Sequence, residues 1–463
     1  MHLDRAATTP LWRQLQDQLR DAIRCGRLAH GDALPSSRAL ADQLGVSRNL
    51  VVNAYEQLAA EGYLHTDIGR GTRVADLDVP EPVRMEDASV DEPSVLFDFE
   101  YGIPDMASLP MRDWLWALDA ASRTVTRDDL GDTDSGGGGS AHLRRTIAAY
   151  QRRVRAVNAT AAQIVVVPGF RHGINVVFQA LARAGVETVA IEDPGQGDLA
   201  HIASRCGLDV IGVPVDEDGL DVERLADSNA RAVVVTPAHQ SPTGVLLSPA
   251  RRHELVRWAR TRDAYVVEDD YDAEFRYDRQ PVGAIQGLAP DRVVTMGSVS
   301  KTISPALRLG WIIAPVALVP NLITEKQLLS RGAPGLDQCA LAHLIESGRF
   351  DRHIRKMRTT YRDRRRTLVD HLARIAPELT VTGLDAGCHA VIDLPRGVNE
   401  CDIVQRCLER GVRVSGMNRY RTQPKDDSHQ LVVGYGNLTP SAVRSGLDII
   451  VNVVLDTDTA PHC

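Results

Sequence analysis

The stretch GSVSKTISPALRLGW, residues 297–311, decides how the larger part of this chain is read. The apolar run Arg292–Thr295 before it has the length and content of a buried β-strand, and another run starts at Trp311. Ser298-Val299-Ser300-Lys301 therefore lies just past the end of one strand, and Arg308 immediately precedes the next. In an open α/β sheet, ligands bind in the crevice beyond the carboxyl ends of the strands. A lysine at such an end is placed to act as an amine nucleophile, and an arginine beside it to hold an anion. Taken alone, a lysine is more often a solvated surface residue, so the reading depends on what else falls at strand ends.

Working outward, the runs Ile164–Val167, Thr188–Ile191, Val210–Val213, Ala232–Val235, Tyr265–Val267 and Trp311–Ala314 are short, rich in Val and Ile, and apolar on both faces. Such strands belong inside a mostly parallel sheet covered by helices. Helical stretches such as Pro249–Arg260, with Leu255, Trp258 and Ala259 on one face, alternate with them, which predicts an α/β domain. From about Gly335 a long basic helix, Phe350–Arg374, and later strands predict a smaller α+β subdomain. The run SGGGGS, Ser135–Ser140, is a flexible loop by composition.

More reactive residues fall at the same strand ends. Asp269 ends the Tyr265–Val267 strand, and Tyr271 follows it. Pro168-Gly169-Phe170-Arg171-His172-Gly173 sits between a strand and a helix, where backbone N–H groups can hold a phosphate. Pro242-Thr243-Gly244 follows the Ala232–Val235 strand. A lysine for an imine, a carboxylate for a ring nitrogen and donors for a phosphate are the parts that pyridoxal 5′-phosphate (PLP) requires. Each residue has a bland alternative as a turn former or cap; their conjunction points to PLP.

The first 75 residues read differently. Trp12, Leu15, Leu19 and Ile23 follow helical spacing up to Gly26. Ser36 is placed to cap a short helix with Leu40 and Leu44 on its apolar face. Gly45 makes a turn, and Ser47 is placed to cap a helix that turns Leu50, Val51, Ala54, Tyr55 and Leu58 inward. The exposed start of that helix carries Arg48, Asn49 and Asn53. This is helix-turn-helix geometry, in which the second helix's start reaches base edges in the major groove. Glu61-Gly62-Tyr63-Leu64 opens a hairpin whose tip and return strand, Gly69-Arg70-Gly71-Thr72-Arg73-Val74, form a wing, with Arg70 and Arg73 available to phosphate. On pattern alone, a small helical interaction module with a hairpin remains the alternative.

Residues 76–95 are acidic, interrupted by Pro80, Pro82 and Pro93, and unable to bury a core, so they predict a linker. The expected organisation is 1–75, linker 76–95, and 96–463 with a small subdomain over about 335–463. The net charge of −8 excludes a wholly basic surface but not a local DNA-binding patch. Seven scattered cysteines form no C-x-x-C pair, and His253-Glu254 lacks the second histidine of a zinc-protease motif, so no metal is expected. No apolar h-region or membrane-length apolar run is present, which predicts a cytoplasmic protein without membrane contact.

LPSSRALADQLGVSRNLVVNAYEQLAAEGYL, residues 34–64, followed by GRGT, resembles the GntR-superfamily winged helix-turn-helix. IEDPG, TPAHQSPTG, EDDYDAEFRY and GSVSKTISPALRLGW resemble the fold-type I aminotransferase-like domain of MocR/GabR regulators, over roughly Leu96–Val454. The first resemblance implies double-stranded operator DNA as a partner, with contacts from Arg38, Arg48, Asn49, Arg70, Gly71 and Thr72. The second implies PLP as cofactor, with Lys301 as its Schiff-base lysine. Asp269 would pair with the ring nitrogen and Tyr271 lie near the ring hydroxyl. Ser298, Arg308 and the backbone at Phe170 and Arg171 would hold the phosphate. It also implies a head-to-tail homodimer.

The chain departs from the family pattern at four places. Gln196 and Ser241 stand where family members usually carry aromatic residues. Leu130-Gly131-Asp132-Thr133 lacks the tyrosine of a Tyr-Gly-Asp-Pro-type motif, and Leu431–Tyr435 lacks the arginine that takes a substrate carboxylate in working aminotransferases. Arg331, Arg413 and Arg419 are open candidates for that clamp. The expected function is a transcription regulator that senses PLP, or an amine or amino-acid effector reacting with PLP, with at most weak transaminase chemistry. The alternatives are an aminotransferase with an accessory DNA-binding domain and a dimerisation scaffold with a vestigial PLP site.

Overall fold

The computed structural model describes residues 2–67, 71–76, 94–131, 134, 136–277, 282–425 and 428–458. The chain divides into two compact units, Met1–Asp91 and Glu92–Cys463.

In the first unit, α1 (Leu11–Arg24), α2 (Ser37–Leu44) and α3 (Arg48–Ala60) precede the antiparallel hairpin β1 (Leu64–Asp67) and β2 (Gly71–Val74). The caps are those the sequence predicts. Ser36 Oγ accepts from Ala39 N–H at 3.2 Å, and Ser47 Oγ from Leu50 N–H at 3.3 Å. Gly45 ends α2 in the left-handed region, φ 63°, where a side chain is costly, so the chain turns sharply into α3. Leu15, Leu19, Leu40, Val51, Ala54 and Leu58 form the core. Trp12 was expected among them but is 45% exposed, and Gln16 is buried instead. The hairpin tip, with Arg70, and residues 77–93 of the expected linker lie outside the described residues.

The second unit opens with β3 (Phe97–Asp98), α4 (Met111–Ser122) and α5 (Ala141–Arg155). Its main sheet contains β4 (Ile164–Val167), β5 (Thr188–Asp193), β6 (Asp209–Asp216), β7 (Gly219–Leu220), β8 (Ala232–Val235), β9 (Tyr265–Asp270), β10 (Val293–Ser298) and β11 (Gly310–Ile313). The order is β4-β11-β10-β9-β8-β5-β6-β7. The five strands from β10 to β6 run parallel. β11 runs antiparallel to both its neighbours. All seven apolar runs predicted as strands lie in this sheet.

Burial on both faces explains their composition. Ile164 and Val166 enter one hydrophobic core, Val165 and Val167 another. The helix α6 (Phe170–Arg183) covers one face. The helix predicted over Pro249–Arg260 is observed over Pro249–Thr261 and covers the far end with Leu255, Trp258 and Ala259. At roughly 1.5–3 kcal/mol for each fully buried Val or Leu, these layers fix which strand ends meet.

The smaller sheet, in order β12 (Thr380–Thr382), β13 (His389–Asp393), β16 (Gln430–Gly434) and β15 (Ser415–Gly416), packs with the long helix Arg349–Ile375. β14 (Val412–Arg413) pairs in parallel with β3 in a separate two-stranded sheet, so the start of this unit joins its C-terminal part.

The flexible loop expected at the glycine run is corrected. Gly137, Gly138, Gly139 and Ser140 are buried. Lys326 Nζ, itself fully buried and paired with Asp134 at 2.8 Å, donates to Gly137 O at 2.8 Å. Val166 N–H donates to Gly138 O at 3.0 Å. A Cβ at Gly139 would stand 2.6 Å from Val166 Cβ. Gly137 and Gly139 leave no room for a side chain, a close packing that composition cannot distinguish from flexibility.

Candidate functional site

The carboxyl ends of the parallel strands open into a cavity of about 530 Å³. Lys301, Asp269, Tyr271, Ser298, Arg308, Phe170 and Arg171, the seven residues predicted for the cofactor, all line it. They arrive from four places, the start of α6, the ends of β9 and β10, and the turn before β11, and the sheet order brings β9, β10 and β11 side by side.

The acidic string Glu268-Asp269-Asp270-Tyr271-Asp272 shows how the fold sorts similar residues. Glu268 turns inward, where it accepts from Ile285 N–H at 2.9 Å and Gln286 N–H at 3.2 Å. Asp270 accepts both Arg155 Nε, at 2.7 Å, and Nη2, at 3.0 Å, in a buried pair. Asp272 meets His239. Asp269 alone of the four lines the cavity, where Gln196 Nε2 donates to its Oδ2 at 2.6 Å. Burial pushes the Asp269 carboxyl up to about 8, against the opposing Gln196 hydrogen bond. Such a carboxyl suits a ligand that brings a basic ring nitrogen, because the two then share one proton.

Arg308 stands in the left-handed region, φ 49°, and its guanidinium makes no hydrogen bond or ion pair among the described residues. It faces Gly169, the residue before α6, whose φ is 87°. A Cβ at Gly169 would lie 3.4 Å from Arg308 Cζ. An unpaired cation, the free N–H groups of a helix start and the Ser298 hydroxyl form a cradle for a dianion. Lys301 Nζ donates to the carbonyl of Gly102 and is half-buried. This donor set fits PLP: amine, carboxyl and phosphate cradle share one cavity.

Two findings support the DNA-facing reading of the first unit. Arg38, Arg48 and Asn49 are exposed, and Arg48 Nε reaches Ser37 Oγ at 3.4 Å across the turn. Gly71 is exposed and Thr72 half-buried, its Oγ1 3.3 Å from Thr66 Oγ1. Arg73, expected to be available to phosphate, is tied to Gly31 O at 2.7 Å.

Family comparison matches residues 11–74 to "Bacterial regulatory proteins, gntR family" and residues 103–448 to "Aminotransferase class I and II". The "HTH-type pyridoxine biosynthesis transcriptional regulator PdxR" of Corynebacterium glutamicum is 36% identical over 93% of both chains. The "Probable rhizopine catabolism regulatory protein MocR" of Rhizobium meliloti is 31% identical over 99% of this chain and 96% of its own. The chain belongs to the MocR-type regulators of the gntR family. Among solved structures, the kynurenine aminotransferase of Pyrococcus horikoshii superposes with a TM-score of 0.72 at 20% identity, covering 80% of this chain and 93% of that one. An archaeal alanine:glyoxylate aminotransferase gives 0.71 at 21%, covering 78% and 91%. At that identity the likeness shows the fold. This MocR-type regulator is a DNA-binding protein whose aminotransferase-like domain takes PLP. Among the described residues, no helix is long and apolar enough to cross a membrane.

Several cavity residues of the regulator escaped sequence reasoning. Tyr101, Glu100, Tyr420 and Arg421 reach it from segments with no motif. Of the three arginines left open, Arg419 lines the cavity, where Glu100 holds it at 2.8 Å. Arg413 pairs with Asp98 at 3.0 Å, and neither it nor Arg331 is among the lining residues. Gln196, noted as a departure, hydrogen-bonds Asp269 rather than covering a ring. Ser241 is fully buried, and its Oγ lies 2.7 Å from Tyr101 OH. The late strand β16 carries no arginine, as its sequence required.

Proposed function

We propose that this regulator reads PLP itself, with operator DNA as the output, and that an amine or amino acid reacting with PLP is the second source of signal. The observation carrying the reading is the cavity: Lys301, Asp269 and Arg308 are complete for cofactor capture, while β16 offers no substrate arginine. Lys301 is the amine for the cofactor's aldehyde. Asp269 would pair with the ring nitrogen, and Tyr271 would lie near the ring hydroxyl. Ser298, Arg308 and the backbone of Phe170 and Arg171 hold the phosphate. When bound, PLP supplies an electron sink and a reactive carbonyl. The 36% identical relative is named for pyridoxine biosynthesis, which supports the B6 vitamer pool as the signal's source.

Arg38, Arg48 and Asn49 contact the operator, with the wing at Arg70, Gly71 and Thr72. The working unit is a head-to-tail homodimer in the cytoplasm, organised as 1–75, a linker over 76–95, and 96–463. The test measures PLP affinity with and without saturating operator. A signal coupled to DNA binding must show reciprocal coupling, ordinarily about 1–3 kcal/mol or 5–150-fold. Equal affinities refute PLP as the direct signal. Turnover of amino donors at ~1 s⁻¹ or faster would make the chain an enzyme instead.

A further inference from the structure

A second cavity, of about 520 Å³, shares no lining residue with the cofactor site. Neighbouring residues of a strand point to opposite faces. At the end of β9, Asp269 turns to the first cavity, while Asp270 turns to Arg155, which lines the second. One wall is α5, with Arg153 and Arg155. Another is the turn after β9, with Glu274. The third is the long helix Arg349–Ile375, with Asp351, Arg355 and Arg358. Neither the motifs nor the proposed function uses any of these residues.

The carboxylates around this cavity already have partners. Asp351 pairs with Arg153 at 2.8 Å. Asp270 takes Arg155 Nε and Nη2, which leaves Arg155 Nη1 buried with no hydrogen-bond partner. Arg155 is 1% exposed, and a donor buried that deeply ordinarily has a partner. Arg358 gives Nε and Nη2 to the carbonyl of Glu274, at 3.0 and 2.7 Å. Its Nη1, and the whole Arg355 guanidinium, have no partner among the described residues. Arg355 and Arg358 lie three apart on one helix face, where like charges repel. An anion between them relieves that repulsion.

We propose that this cavity is a second, anion-binding site that takes a phosphate monoester. Guanidinium groups hold oxyanions through N–H donors in a fixed fork, and Arg355, Arg358 and Arg155 supply the unused ones. The volume lies in the range of small-molecule sites. Tyr150, Val154 and Ile354 give the wall an apolar part for the ester's organic group. A ligand held there would tie α5 to the helix that leads into the small subdomain, and it would not compete with PLP at Lys301.

Glu274 makes the site sensitive to pH. Burial, and then Asp270, push its carboxyl up to about 7. Around it stand Tyr150, Arg153 and Arg155 on α5, and Asp270 and Asp272 on β9 and its turn. Asp351, Arg355 and Arg358 face it from the long helix. Below neutrality the wall presents a neutral carboxyl. Above it, the new negative charge opposes a bound anion. Affinity should therefore fall by about tenfold as pH rises through 7, the equivalent of one unit of pKa change on binding.

The experiment is calorimetric titration of the full-length protein, loaded with one equivalent of PLP and desalted, so that the Arg308 cradle is filled. Glycerol 3-phosphate and inorganic phosphate are compared at one pH, and sulfate, a dianion throughout, is titrated from about pH 6 to 8. The monoester should bind saturably and more tightly than inorganic phosphate. Arg355→Gln and Arg358→Gln should each weaken it about tenfold. Arg355 is exposed, so its variant carries the test should Arg358→Gln not fold. Glu274→Gln should bind sulfate with no dependence on pH. No saturable binding, or binding unchanged by Arg355→Gln, would overturn the proposal. A parent whose sulfate affinity is flat across pH 7 would overturn the place given to Glu274 in it.

Discussion

Replacing Asp269 by Asn keeps the shape of the side chain and removes one titrating proton. Burial holds the parent's carboxyl at about 8 rather than the ordinary 3.8. Its folded-state pKa is thus raised, and the sign follows. Below about pH 4 both folded and unfolded chains are protonated there, and Asp269 costs nothing. Between about pH 4 and 8 the unfolded chain ionises while the folded one does not, so ligand-free stability falls by about 1.4 kcal/mol per pH unit. Over some four units the loss is at most on the order of 5 kcal/mol. Asp269→Asn lacks this slope. The ligand-free variant should match the parent near pH 4 and exceed it at pH 8. Adding PLP should reverse the order, because Asn has no proton or charge to give the ring nitrogen. The assay is urea denaturation from pH 4 to 8.5, with and without PLP, comparing variant with parent so that other buried carboxyls cancel. Parallel stability–pH profiles for the two proteins would refute the argument.

Lys301→Ala removes the cavity's amine and should abolish the visible band formed with PLP; a yellow variant, trapped by borohydride on another lysine, would show the assignment to be wrong. Gly169→Ala places a side chain at φ 87° against Arg308, so it should cost about 1–3 kcal/mol and weaken PLP binding, read by thermal denaturation and absorbance titration. Arg48→Ala should weaken operator binding by about 1–3 kcal/mol if the side chain reads a base. Fluorescence anisotropy at several salt concentrations checks it, and unchanged affinity would mean that the recognition helix is misplaced.

What the sequence by itself determined is local or periodic. Ser36, Gly45 and Ser47 set the caps and the turn of the helix-turn-helix through bonds spanning three residues. The Val- and Ile-rich runs declared a sheet covered on both faces, because burial on both sides leaves no polar alternation. Lys301, Asp269 and Arg308 were legible because each sits at the end of such a run. Tertiary structure decided what depends on partners distant in the chain. It sorted Asp269 from Asp270 by placing Arg155 115 residues away against the second. It made the part of the glycine run expected to be flexible, Gly137 to Gly139, a buried turn that seats Lys326, 189 residues from Gly137. It brought His239 to Asp272, and Tyr101 to Ser241, across 33 and 140 residues. Periodicity and composition report how much of a residue is buried, whereas a buried polar group is defined by the partner that satisfies it, and that partner is chosen only when the strands and loops assemble.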